Sequence, residues 1–590
     1  MKGSAADVLV KYLEQEGISH LFGVPGGHLL SLYDAVHRSG KIKTVLARNE
    51  QGAGYMANGY ARVSGKPGLC CGTVGPGATN LVSGVATAYM DSTPLIVLTA
   101  QVGTTAIGKG ALQEAAGDGR TVDQVALFRP ITKYSTMVTR PVTVPEAIRK
   151  AIRIAVSGRP GPVHLDLPSD VLKGDVDDPI VPPERFRASA QCAPDPDLVA
   201  RAASDLAGAR HPAMLIGGGA VSSGAAPEVL ALAEMLGIPV ATSLRAKGIL
   251  PEAHPLSLGC VGLYGTRAAN SYLRSGVDVL LAVGVSFHEF TTHVWDPAFQ
   301  PKNALIQVDI DPAEIGKNYP VDVPLVGDAR PILKALLAAV ERQPRPSRDG
   351  RDAIARFKRE SEYFDEPAMS SSAFPLKPQR AMSELRAALP EDAIVFTDIG
   401  NNLTWVERCY PAAQAGTMVS MSGLAAMGSG VAGAIGGKIA APDRPVVCVC
   451  GDGDFGMTGM EVTTAVGYGA PVIWVILNNH RLSMIRDIQG LMYQGRYEAS
   501  DLPNPDFVGL AHALGAEGYR IQGPGELGDV VAKAVSGGRP TIVDVPIDPE
   551  ELPPMKPRML ALERSLGLPE PTKTISWKAI RAMLGMLKER

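Results

Sequence analysis

Residues 451–479, GDGDFGMTGMEVTTAVGYGAPVIWVILNN, open with an aspartate between two glycines and close on paired asparagines. Asp452 and Asn479 carry hard oxygen donors of the kind Mg²⁺ prefers, and Mg²⁺ in proteins commonly keeps phosphates as co-ligands. The glycines beside Asp452 let the backbone approach a bound group closely. Together these residues describe a clamp for a metal and a diphosphate. The run PVIWVIL, which leads into the asparagines, is β-branched and aromatic with almost no polar atoms, and reads as a buried strand.

The elements that must position this clamp have a counterpart upstream. Residues 75–101, GPGATNLVSGVATAYMDSTPLIVLTAQ, also start on a Gly-x-Gly turn, continue as a small-residue helix, and reach a proline before a buried strand. From first glycine to proline is 19 residues at Pro94 and 20 at Pro471. A second pair of landmarks follows in the same order, SGRPGPVHLDLPSD from Ser157 and SGGRPTIVDVPID from Ser536. Matched landmarks in matched order imply a duplicated α/β domain. Alternating strands and helices joined by glycine turns imply parallel sheets covered on both faces. Between the halves, PAMLIGGGAVSSGAAPEVLALAEMLGIPVAT reads as strand, glycine turn, helix and strand, a Rossmann-like opening. Its glycines suit either a bound nucleotide or a tight structural turn. The expected architecture is α/β: three doubly wound parallel-sheet domains at 1–175, 190–342 and 375–550, then a carboxy-terminal extension at 551–590. Proline-rich or charged linkers are expected near 173–195 and 342–376.

Bulk composition excludes several classes. A chain of 590 residues is too long for one core. Its 45% hydrophobic and 20% charged residues are ordinary for a globular protein. A net charge of −3 gives no sign of a nucleic-acid or membrane partner. The seven cysteines have no CxxC spacing, against a zinc site or disulfide framework. Cys448 and Cys450 alternate along VVCVC as small buried hydrophobes. The start, MKGSAADVLVKYLEQEG, reads as an amphipathic helix containing acids, unlike a signal peptide. No uninterrupted run of 18 apolar residues occurs, so no span is expected. A reducing cytoplasm is the expected compartment.

With these motifs in their order, the chain resembles the thiamine diphosphate (ThDP) enzymes of the acetolactate synthase and pyruvate oxidase group over about residues 3–550. The resemblance implies pyrimidine-binding, central and diphosphate-binding domains in that order. It implies Mg²⁺ held by Asp452, the Asn479 side chain and the Arg481 backbone carbonyl. The helix after Gly453 would aim its first N–H groups at the diphosphate. Gly451, Gly453, Asp454, Ile485 and position 425 are placed at the cofactor, the last without an assigned role. Met427, in SGLAAMGSGVAGAIG, matches the bulky residue that holds the two cofactor rings in a bent shape. Glu50, in VLARNEQGAGYMANGYARVSGKPG, matches the glutamate that bonds the aminopyrimidine and favours the imino tautomer that accepts the thiazolium C2 proton. Because Glu50 and Asp452 lie on different domains, the resemblance implies a cofactor bridging two chains, with a homodimer as minimum and a homotetramer expected. FAD or an adenine nucleotide is the implied ligand of the central domain.

For the reaction, two resemblances compete. NNHRLSMIRDIQGLMYQGRYEASDLPNPDF is similar to the acceptor-pocket segment of acetolactate synthases, with Ile485 and Arg486 matched and Ile488 in place of a tryptophan. Arg486 would there bind a 2-oxoacid carboxylate. Where the synthases carry RFDDR, this chain has SFHEF at 286–290, so both arginines are absent. GVPGGHLL, GKGALQE and VDQVALFRPITKY resemble instead the 2-hydroxyacyl-CoA lyases, which release formyl-CoA and an aldehyde or ketone. His28 and Gln113 would then face the reacting carbon, with Leu127 limiting the pocket. A glutamate that some of those lyases use as a proton shuttle has no equivalent here other than Asp487. The leading expectation is decarboxylation of a 2-oxoacid such as pyruvate followed by carboligation. The small-molecule substrate is thus an oxoacid or an acyl-CoA, and a ThDP fold that has lost its chemistry is the remaining alternative. In the extension, eight Lys/Arg stand against four Glu. An amphipathic helix capped by Ser576, with Trp577, Ile580, Leu584 and Leu587 on one face, would serve as an active-site lid or a packing arm.

Overall fold

The computed structural model describes residues 1–188, 193–344 and 350–554. Three six-stranded sheets run through it, each parallel throughout. The first is built from β1 (His20–Gly23), β2 (Lys43–Leu46), β3 (Gly68–Gly72), β4 (Leu95–Gln101), β5 (Tyr134–Met137) and β6 (Val163–Pro168), in the order β2-β1-β3-β4-β6-β5. The central sheet has β7 (Ala213–Ile216), β8 (Val240–Thr242), β9 (Ser257–Cys260), β10 (Val279–Val283), β11 (Ala304–Asp309) and β12 (Val323–Val326), in the Rossmann order β9-β8-β7-β10-β11-β12. The third has β13 (Ile394–Thr397), β14 (Met418–Ser420), β15 (Val446–Gly451), β16 (Val472–Asn478), β17 (Glu517–Arg520) and β18 (Thr541–Pro546), in the order β14-β13-β15-β16-β18-β17. The first and third sheets therefore share one topology. That is the duplication expected from the paired glycine and proline landmarks, and the α/β class follows the expectation.

Strands such as VLLAV in β10 and VIWVIL in β16 are buried on both faces, as a parallel sheet flanked by helices requires. The amino-terminal helix spans Ala5–Gln15, with Ser4 and Asp7 forming a reciprocal cap. Ahead of it, Lys2–Ser4 pairs antiparallel with Asp175–Asp177. The segment expected as a linker beyond residue 342 contains a helix, Arg351–Glu360. Its charges concealed one inward position, Ile354, which is buried in the central core.

Helices α1 (Glu50–Ser64), α2 (Pro76–Met90) and α3 (Ser429–Ala440) join the first and third domains into one apolar core, which also takes in Phe22, Phe396 and Trp474. Glycines permit the contact of α1 with α3, since a Cβ at Gly436 would overlap the Met56 carbonyl. The extension is described only to residue 554, where Glu551 accepts hydrogen bonds from Lys377 at 2.6 Å and Gln379 at 2.8 Å. The expected lid helix from Ser576 lies outside the described residues.

Candidate active site

Glu50 is the first residue of α1, where a carboxylate complements the helix dipole. Asn49 caps that helix, its side chain accepting the Gln51 N–H at 2.8 Å. Glu50 is only 8% exposed, and Asn80 of α2 donates to its Oε2 at 3.0 Å. On its other side lies Gly77, where a Cβ would stand 3.1 Å from Oε1. Gly75 turns the chain from β3 into α2 at φ 71°, and a Cβ there would lie 3.1 Å from the Gln113 carbonyl. The loop holding His28 approaches the same turn, with Gly26 packed against Thr73. Glu50, Gln113 and the His28 loop thus collect around the turn beyond β3, at the carboxyl edge of the first sheet, where open α/β sheets bind ligands. Gln113 is exposed at φ 64°, His28 is half-buried in the short turn Gly27–Leu29, and Leu127 is half-buried on the Gln124–Phe128 helix.

The second set of residues gathers beyond β15 and β16. α4 (Asp452–Thr458) starts at Asp452, and Asp454 caps it by accepting the Gly451 N–H at 2.8 Å. Asp452 is 4% exposed, and its Oδ2 accepts from Asn504 at 2.7 Å. The His480 backbone N–H donates to Asn478 Oδ1 at 3.3 Å, and through Asn504 the Gly-Asp-Gly turn and the paired asparagines meet. Asn504 donates to Asn478 Oδ1 at 3.0 Å, and the Asn478 amide donates to Asp544 at 2.8 Å. Asn479 exchanges hydrogen bonds with Ser483 at 2.7 and 3.1 Å. Arg481 donates to Glu550 at 2.9 Å. Burial raises the Asp452 pKa, opposed by its bonds to Asn504 and Gly453 and by the neighbouring His480. Burial also raises Asp454, together with the charge of Asp398.

Gly453 has no Cβ, and one would meet Leu482 at 2.7 Å and Met427 at 3.1 Å, which leaves a small cradle beside Asp452. Buried carboxylate, carboxamide and backbone oxygens beside that cradle fit a hard cation carrying a phosphate. Position 425 is an alanine, Ala425, held at φ 58° in a conformation more usual for glycine. Ile485 is exposed on α5 (Ser483–Met492). Arg486, on the same helix, pairs with Asp501 at 2.8 Å and stacks 3.8 Å from the Tyr497 ring centre. Its guanidinium is therefore engaged within the chain. Asp487 accepts from Asn401 at 2.8 Å.

Three contributors were missed from sequence. Asn504 lies between two prolines in a stretch whose polar residues look like an ordinary loop. Asp398 accepts N–H groups of Gly428 at 2.8 Å and Val431 at 2.9 Å, anchoring the start of α3; burial raises its pKa to about 6. Glu461 accepts the backbone N–H groups of Arg48 and Asn49, both at 3.0 Å, and so ties the third domain to the start of α1. A lone acid or amide carries no local signal of such a partner.

A buried glutamate at a helix start, a Gly-Asp-Gly turn meeting paired asparagines, and two sheets of one topology around a Rossmann-like domain define a three-domain ThDP enzyme. Comparison with known families agrees. Thiamine pyrophosphate enzyme domains match at 3–127 (N-terminal TPP binding), 199–336 (central) and 398–545 (C-terminal TPP binding). The chain is 41% identical to a probable acetolactate synthase large subunit of Methanocaldococcus jannaschii, with 94% of each chain covered. It is 37% identical to the acetolactate synthase isozyme 3 large subunit of Escherichia coli, covering 93% of this chain and 95% of that one. A Corynebacterium glutamicum acetolactate synthase large subunit is also 37% identical, over 92% of this chain and 86% of its own. The chain belongs to this family of thiamine pyrophosphate enzymes, and it is a ThDP-dependent enzyme.

Proposed function

We propose that this enzyme decarboxylates a 2-oxoacid such as pyruvate and joins the resulting two-carbon unit to a second oxoacid, as an acetolactate synthase does. The convergence of Asp452 with Asn478 and Asn504, in a chain that aligns over 94% of its length with an acetolactate synthase large subunit, carries the reading. ThDP, when bound, supplies an electron sink for making or breaking a C–C bond beside a carbonyl. Asp452, Asn479 and the Arg481 carbonyl would hold Mg²⁺, and the first N–H groups of α4 would face the diphosphate. Glu50 would hold a proton at the aminopyrimidine, its orientation fixed by Asn80. Met427, beside Gly453, would support the cofactor rings. Freed from Asp501, Arg486 would bind the oxoacid carboxylate.

A second copy of the chain would complete the site, because Glu50 and Asp452 belong to different domains. Met457 and Met460, just beyond the Gly-Asp-Gly turn, are 58% and 59% exposed, which supports such a covering. The central domain would hold FAD or an adenine nucleotide. In support, a cavity of about 760 Å³ opens at the carboxyl edge of its sheet, lined by Gly217, Gly219, Arg245, His288 and Asp309. Ser286 and Phe290 in place of the two arginines argue for the smaller, flavin-free ligand, and a visible spectrum of the purified protein tests that.

The deciding experiment is product analysis by mass spectrometry, with ThDP and Mg²⁺, from pyruvate and separately from 2-hydroxyisobutyryl-CoA. Acetolactate from pyruvate alone is expected. Formyl-CoA and acetone from the thioester alone would overturn the synthase reading and turn attention to His28 and Gln113. Engagement of Asp487 with Asn401, in the turn where some lyases carry a shuttle glutamate, supports the synthase.

A further inference from the structure

A fully buried polar cluster sits inside the first domain, away from the groups assigned to chemistry. Thr99 and Gln101 lie on β4, His164 and Asp166 on β6, and Gln124 on the helix Gln124–Phe128, all at 0% exposure. The Asp166 carboxylate accepts from the Thr99 hydroxyl at 2.9 Å, from the Gln101 amide at 3.1 Å, and from the Gln124 amide. A carboxylate only accepts, so both glutamine amides must present their NH₂ groups inward. Their carbonyl oxygens are thereby turned outward. Gln101 Oε1 accepts the Ala115 N–H at 3.2 Å, while its Nε2 also donates to the Ala115 carbonyl at 3.0 Å. Gln124 Oε1 accepts the Gly75 N–H at 3.3 Å. Ala115 is two residues from Gln113, and Gly75 opens the turn that packs on both Gln113 and, through Gly77, Glu50.

We infer that Asp166 is a positioning residue: it locks the amide orientations of Gln101 and Gln124, and through them sets the loop at 104–123 and the Gly75 turn against Glu50. The inference rests on Glu50 and Gln113 belonging to the active site. Among the described residues no cation hydrogen-bonds Asp166, and burial lifts its pKa to about 7 in spite of three donated bonds, with the Asp123 charge adding to the rise. The nearby His164, stacked 4.3 Å from the Phe128 ring centre, is pushed down to about 3 by burial and is neutral. A carboxyl group buried at such cost to stability, with three side-chain donors aimed at it and two residues from the sheet edge, is better explained by what it orients than by packing.

The test is Asp166→Asn in the full-length protein. Asparagine keeps the shape but faces the inward amides with a donor, so one glutamine must turn and set its NH₂ against a backbone N–H. Hydrogen-exchange mass spectrometry without cofactor should show residues 104–123 exchanging at least tenfold faster, with the third domain unchanged. With ThDP, Mg²⁺ and pyruvate, kcat should fall at least tenfold while half-saturating ThDP stays within twofold. Wild-type exchange, or faster exchange with wild-type kcat, overturns the inference. If Asp166→Asn does not fold, Gln101→Met, which removes only the amide holding Ala115, carries the same two readings. If the wild type itself makes no acetolactate, the functional reading fails while the exchange measurement still decides the clamp.

Discussion

Glu50→Gln separates chemistry from architecture more sharply than any other change in this chain. Glutamine keeps the side-chain volume, and its carbonyl can still accept from Asn80, which now bonds Glu50 at 3.0 Å. What disappears is the charge at the first position of α1, a favourable helix-dipole contact of about 0.3–1 kcal/mol. For a chain of this size that is a shift of a few degrees at most. A carboxylate acting in proton transfer contributes roughly 10²–10⁴-fold, or about 3–5 kcal/mol of barrier at 1.36 kcal/mol per decade. The two effects therefore differ by several-fold in energy and are read by different instruments. Acetolactate formation at saturating ThDP and Mg²⁺ should fall at least a hundredfold, and the melting curve should move little. An active Glu50→Gln protein would refute the role given to this residue. Equal collapse of fold and activity would mean that Glu50 is structural.

Other changes probe the surrounding structure. Asn504→Leu removes the donor to both Asp452 and Asn478, and the Mg²⁺ concentration for half-maximal activity should rise roughly 10–100-fold; an unchanged Mg²⁺ titration would dissociate Asn504 from the metal. Gly436→Ala forces a methyl into the Met56 carbonyl at the α1–α3 contact and should destabilise by about 1–3 kcal/mol or more in urea unfolding. Wild-type stability would show that the two helices do not approach so closely in solution. Glu461→Ala strips acceptors from the Arg48 and Asn49 N–H groups, at about 1–3 kcal/mol for each buried donor left unpaired; loss of activity exceeding loss of stability would indicate that α1 has shifted. Finally, Asp166 and His164 bias stability in opposite directions. The Asp166 pKa, raised to about 7, makes its contribution fall as pH rises from about 4 to 7. The His164 pKa, lowered to about 3, makes its contribution rise up to the ordinary histidine value of about 6.5. Urea titrations between pH 4 and 6.5 should therefore show stability climbing more steeply in Asp166→Asn than in wild type, and parallel curves would show that burial does not raise the Asp166 pKa.

The chain alone determined what short-range chemistry can write. The glycines around Asp452, the paired asparagines and the proline before each buried strand all act within a few residues, so spacing exposed them. Because duplication preserved the order of those signals, the shared topology of the first and third domains could be inferred before any strand was placed. The same local rules misjudged residues 351–360, where a single buried isoleucine among charges outweighed a linker-like composition. They were silent on Asn504, Glu461 and Asp166. Glu461 meets Arg48 from 413 positions away, and Asn504 meets Asp452 from 52. Nothing in the periodicity of a strand or helix names the partner of a polar atom. Only closing the sheets brings these groups into low dielectric, where an unpaired donor or carboxylate is costly and each must find its complement. Tertiary structure therefore decided how firmly, and by which neighbours, the sequence-visible residues are held.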